Sequence, residues 1–209
     1  MRITASVDAT AVTVDGEAVL ATSPGLYEVV RSSRNIEIVC PEGCEISVST
    51  GSGSITTRGR LGAVRIMTVS GASSLEHVAA VEARSASGRV EVGACDGNCR
   101  VVTGSGRVEL ARSNDVEIAT VSGAVRIDQL HAGGTIRTVT GAIRLSADGD
   151  AQLSVHSVSG KVAVELPSDA IGSLVLRSVT GATTGVLPVG DGAHIEVSTI
   201  SGTISVRTA

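Results

Sequence analysis

The sequence predicts an all-β chain, a single-domain β-solenoid of about nine two-strand coils of 17–21 residues behind an irregular N-terminal β cap. Three observations carry that reading: a glycine that recurs every 17–21 residues, apolar residues spaced two apart on either side of it, and a core alphabet without Phe or Trp and with Tyr27 as its one aromatic residue. The 209 residues contain 25 Gly and only 4 Pro, with no Gly-X-Y period, which excludes collagen and Pro-rich disorder. A core of Val, Ile, Leu and Ala alone suits a narrow interior.

Residues 1–45 are the least regular. Val12/Val14, Leu26 and Ile36/Ile38 alternate as strands do, with turns at Asp15-Gly16 and Pro24-Gly25. They read as capping strands, which a solenoid needs because its first coil otherwise exposes an open sheet edge.

Residues 46–209 hold the repeat. Its anchor glycines are Gly53, Gly71, Gly88, Gly106, Gly123, Gly141, Gly160, Gly181 and Gly202. The residue just before each is Ser or Thr, as is the residue three before, from Thr50 to Thr199. Five before, every unit is apolar; seven before, Gly134 alone breaks the apolar column. Two and four after, Val, Ile or Leu dominate, as in Val90/Val92 and Ile143/Leu145, with exceptions at Ser73 and Thr183. Period-two spacing and β-branched bias mean strands. The apolar phase slips by one at the glycine, so each unit is strand, tight corner, strand and wider loop. No unit buries a face alone, but stacking about 4.8 Å apart gives a continuous core roughly 40 Å long.

Outward positions fit a parallel stack. Six before the glycine, successive units carry Arg65, Glu82, Arg100 and Glu117, placing opposite charges side by side to fix register and keep the surface soluble. The two hydroxyl columns fit backbone bonding at the bend, and less well a flat ice-binding lattice, since Ser replaces Thr at most positions beside the glycine. On the far side, loops of five to seven residues lengthen to nine in the last two units. Asp169 and Asp191 lie there, in segments 165–173 and 186–194 that either drifted in length or recognise a ligand.

Chemistry-bearing residues are sparse. Cys40/Cys44 and Cys95/Cys99 each flank three residues of turn, a spacing that fits small core or turn residues, a local disulfide within each pair, or a redox or metal role. The pairs lie about three coils apart, roughly 14 Å, too far for one shared zinc. His77, His131, His156 and His194 have no metal-ligand spacing, and the serines sit in the structural repeat rather than in a nucleophile elbow. No catalytic residue, metal ligand or cofactor is expected, and the chain reads as a non-enzyme. A net charge of −4 without a basic stripe argues against a nucleic-acid binder. The first residues, Met1 to Asp8, lack the apolar core of an export signal, and no window is apolar enough for a spanning helix, so the expectation is a cytoplasmic protein not inserted in a membrane.

The segment Val48-Ser49-Thr50-Gly51-Ser52-Gly53-Ser54-Ile55, then Arg58-Gly59-Arg60-Leu61-Gly62-Ala63-Val64 and repeated Thr-Val-Ser-Gly-x-Val-x-Val segments, resembles a bacterial family of β-strand-repeat proteins of unknown function, described as adhesin-like or toastrack domains. The resemblance covers about residues 35–209. It implies a β-helical solenoid and an association with envelope-stress systems, and it carries over no catalytic residues. The expected role is structural: a rigid solenoid that meets a protein partner or a second copy through an end, with Ile204 and Val206 as the exposed final coil. The alternative is a module that binds a glycan or envelope component through the long C-terminal loops.

Overall fold

A computed structural model describes residues 42–170, 172–186, 189–190 and 192–208, together with the backbone of five strand segments before them. These five are β1 (Arg2–Ser6), β2 (Ala11–Val14), β3 (Glu17–Ala18), β4 (Leu26–Val30) and β5 (Ile36–Val39). The solenoid follows with β6 (Glu45–Thr50), β7 (Ile55–Thr56), β8 (Arg60–Thr68), β9 (Ser73–Ser85), β10 (Val90–Thr103) and β11 (Val108–Thr120). It ends with β12 (Val125–Ala147), β13 (Gln152–Leu166), β14 (Gly172–Thr180), β15 (Thr183–Thr184) and β16 (Ala193–Thr208). No helix long and apolar enough to cross a membrane occurs among the described residues.

Among β6–β16 every pairing is parallel, and as far as β13 each coil pairs with the next at the repeat offset, as in Val90↔Val108 and Val108↔Val125. Equivalent side chains therefore stack in columns. The columns five and seven before the glycine and two and four after it meet inside, where Ile66, Val101, Ile136, Val155 and Ile195 are fully buried. At the N-terminal end β1 pairs antiparallel with β6, and β4 with β1, while β2, β3 and β5 form a separate three-stranded sheet. The far-side loops expected in the middle coils are instead strand: β9, β10 and β11 run straight through them, with a register shift between Cys95 and Asn98 and another between Ser113 and Asp115. Pairing with the coil above satisfies the loop backbone, and a bulge absorbs the extra residue.

The corners explain the Ser/Thr-x-x-Gly spacing. The hydroxyl three before the glycine is buried and accepts the glycine N–H: Gly71 N–H donates to Thr68 Oγ1 at 3.0 Å, Gly88 N–H to Ser85 Oγ at 2.8 Å and Gly123 N–H to Thr120 Oγ1 at 3.0 Å. The neighbouring hydroxyl column also bonds backbone, as Ser87 Oγ does to Val69 O at 3.2 Å. A flat hydroxyl lattice is thereby excluded, since one of its two rows lies inside the molecule. Glycine at the corner is a matter of approach: a Cβ on Gly106 would stand 2.0 Å from the Gly88 carbonyl oxygen of the coil before. Thr120→Val should lower stability by about 1 kcal/mol, because it leaves the Gly123 N–H without its acceptor while keeping the shape. Thermal melts of the two chains measure it.

From the sixth corner on the device changes. The ladder runs through the bend, Gly141↔Gly160↔Gly202, and the Thr138, Ser157 and Ser178 hydroxyls are buried without partners.

Chain order and stacking order part company at the C-terminal end. The strand order is β13-β16-β14, so the last coil of the sequence lies between the seventh and the eighth. Ile204 pairs with Val162 on one side and Thr183 on the other. This corrects the expectation that Ile204 and Val206 form the open end: both are buried, Ile204 completely. The long loops follow from the same topology. After β13 the chain must climb two coil heights, about 10 Å, to reach β14, then step back one to fill the gap with β16.

Candidate functional site

The end that the topology leaves open belongs to β14. It pairs only with β16, and its other side faces no strand among the described residues. Leu174 and Leu176 are only partly buried against the core, whereas Ile195 and Val197, their neighbours in the same columns, are fully buried. Beside them Gly185 passes so close that an added Cβ would lie 2.9 Å from Val206 Cβ and 3.3 Å from Leu176 Cδ1. Val186 and Val189, in the following segment, are exposed. The result is a thinly covered apolar end with a free backbone edge, and Arg177 is the charged side chain on β14 itself.

The far-side edge gathers polar groups that the sequence order hides. Asp96 Oδ2 is 2.6 Å from Arg60 Nη2 and 2.9 Å from His77 Nε2. The His77 hydrogen bond, with Arg60 close by, holds the Asp96 carboxyl below its ordinary value. Three coils on, His131 Nδ1 stands 2.6 Å from Asp148 Oδ2. His156 bridges two hydroxyls, Ser154 Oγ at 3.1 Å and Ser198 Oγ at 2.6 Å, on an exposed flat face. His194 lies on the outer side of β16, in register with Gln152 and Ser173. Among the described residues no group of three His, Cys, Asp or Glu is placed to hold a metal ion.

The charge ladder forms as its spacing implied. Arg65 Nε contacts Glu82 Oε2 at 2.9 Å, and Arg100 reaches Glu117 at 3.4 Å. The Arg65 hydrogen bond is the main cause that lowers the Glu82 carboxyl. These are exposed pairs, screened by solvent, and their role is register.

The cysteines divide. Cys44 is disulfide-bonded, whereas Cys40 lies outside the described residues. Cys95 and Cys99 are free thiols, both buried, in adjacent inward columns across the bulge. The Cys99 thiol donates toward Cys95 and lowers it, and the same bond together with burial drives Cys99 far up. Of the loop carboxylates, Asp169 is exposed beside a tight turn closed by Ala170 N–H to Pro167 O, and Asp191 lies outside the described residues.

One surface escaped the column-by-column reading of the sequence because it lies two before the glycine, a position between the two hydroxyl columns. In stacking order Val121, Val139, Val158, Ile200 and Val179 project there, 42–76% exposed, as an unbroken ridge along the C-terminal corners. In the earlier coils the same column holds Gly51, Val69, Ala86 and Gly104 and forms no such ridge.

No curated protein and no solved structure matches this chain. A family model does: that of the Toastrack DUF4097 domain, over residues 6–185, which takes in β2 to β15, the outermost strand β14 among them, and stops before β16. With most of its length matched and the repeat geometry in place, the chain belongs to the Toastrack DUF4097 family.

Proposed function

We propose that this chain is a non-enzymatic interaction module: a rigid β-solenoid that associates with a second copy of itself through the open edge of β14. The observation that supports it is that edge, with Leu174 and Leu176 half covered where the stack of coils ends. An unpaired strand edge over half-covered aliphatic side chains is a template for another strand. Two β14 strands related by a two-fold axis would pair antiparallel, giving a closed dimer instead of a filament. The disulfide at Cys44 favours an oxidising setting such as the cell envelope over the cytoplasm expected from the first residues.

Ligand recognition by segments 165–173 and 186–194 has less support, because the climb between coils already accounts for their length.

Light scattering across a concentration series tests the dimer. The wild-type chain should double in mass as concentration rises, and Leu174→Lys and Leu176→Lys should each leave it monomeric with an unchanged circular dichroism spectrum. A wild-type monomer at every concentration, or a dimer indifferent to both substitutions, refutes the reading.

A further inference from the structure

The ridge along the C-terminal corners carries a second inference, independent of the β14 edge. Its five side chains are branched aliphatics stacked about 4.8 Å apart, a convex apolar line about 19 Å long. Scattered exposed aliphatics are ordinary, but a contiguous line of them on a corner is not.

What flanks the ridge is equally uneven. The five corner segments 119–126, 137–144, 156–163, 177–184 and 198–205 contain no Asp or Glu, although the whole chain is acidic with 21 Asp and Glu against 17 Lys and Arg. They contain Arg126, Arg137, Arg144, Lys161 and Arg177. Arg126 is paired with Asp128 at 2.7 Å and Arg177 loosely with Glu196 at 3.8 Å. Arg137, Arg144 and Lys161 make no ion pair among the described residues. They stand on both sides of the ridge: Arg137 two residues before Val139, Arg144 five after it, Lys161 three after Val158. The earlier corners differ, since Arg84, Arg89 and Arg107 are each paired with Glu82, Glu91 or Glu109.

We infer that this ridge docks the solenoid on the surface of an anionic lipid bilayer. The aliphatic line enters the headgroup boundary and the three unpaired cations meet lipid phosphates on either side. A soluble polyanion would use the cations but leave the aliphatic line in water. A second copy of the ridge would bring like charges together. A bilayer satisfies both components at once, and the convex shape fits a flat yielding surface better than a rigid protein face. The contact is peripheral and needs no spanning segment.

The test is partitioning of the full chain onto extruded vesicles, read by sedimentation at low ionic strength. Vesicles with about one-third phosphatidylglycerol should retain the protein, phosphatidylcholine alone should not, and raising salt should release it. Replacing Arg137, Arg144 and Lys161 together with Gln should weaken partitioning about a hundredfold, at roughly fivefold per charge. Val139→Asp with Val158→Asp should abolish it. All these side chains point outward, so circular dichroism should be unchanged; for a variant that does not fold, Val139→Ser with Val158→Ser serves in its place and should weaken partitioning. The inference fails if wild type stays in the supernatant with anionic vesicles, if it binds phosphatidylcholine equally, or if the triple variant partitions like wild type. It also fails if the ridge substitutions abolish a dimer in light scattering while leaving partitioning intact, which would make the ridge a protein interface.

Discussion

Gly134→Val should destabilise the solenoid by at least about 3 kcal/mol, even though it restores the apolar residue that every other coil carries seven before its glycine. Read as a column, position 134 lies between Val116 and Leu153, and valine there looks like a repair. The backbone forbids it. Gly134 has φ of +137°, a region open essentially to glycine, and an added Cβ would lie 2.0 Å from the Val116 carbonyl oxygen. Gly133 beside it is in the same state, its Cβ position 1.9 Å from the Gln152 oxygen. The pair lets the chain turn through the far-side edge while still bonding to coils on both sides. A thermal melt should show a drop of about 6–12 °C. Gly149→Ala is the control: its Cβ would meet nothing closer than 3.6 Å, and its melt should match wild type. A Gly134→Val chain as stable as wild type would mean that this coil can adopt the ordinary extended path.

The same position shows what the sequence makes legible. Side-chain columns follow from period two and a fixed repeat, so the buried residues, the corner hydroxyls and the Arg65–Glu82 contact could all be read by stacking units on their glycines. Stacking also finds, once applied to the far side, the partners of His77 and His131: Asp96 and Asp148 lie 19 and 17 residues on, one coil away. A search for local metal-ligand spacing misses them because a solenoid makes its contacts at the repeat length. Backbone conformation is less visible. Apolar periodicity says nothing about φ, so Gly134 reads as a gap rather than as a requirement. The ridge at Val121, Val139, Val158, Ile200 and Val179 was equally open to inspection, but an apolar residue beside a turn looks like core until the bend is known to point it outward. Stacking order is the least legible of all. Sequential units are neighbours by default, and the swap of the last two has only one trace in the sequence, the spacing that widens to 21 residues.

That swap makes the C-terminal coil a wedge, and removing it should cost two coils instead of one. β14 and β15 pair with β16 and with no other strand among the described residues, so a chain ending at residue 192 should lose amide protection over 172–184 while β12 and β13 keep theirs. Hydrogen exchange read by mass spectrometry resolves the segments. Had the coils stacked in chain order, the same deletion would leave 172–184 docked on β13 and protected, and that result would overturn the wedge. A single substitution probes it without shortening the chain. Ile204 has no exposed surface and sits between Val162 and Thr183, so Ile204→Asp buries a carboxylate where no cation is in register and should cost about 4–5 kcal/mol. Its exchange pattern should match the deletion, with 172–184 and 193–208 opening together. On an exposed final coil the same change would leave the protection of 172–184 untouched. Because the half-covered Leu174 and Leu176 are presented only when β16 is in place, loss of the wedge should also abolish any dimer built on β14, whereas Leu174→Lys removes the dimer and leaves the wedge protected.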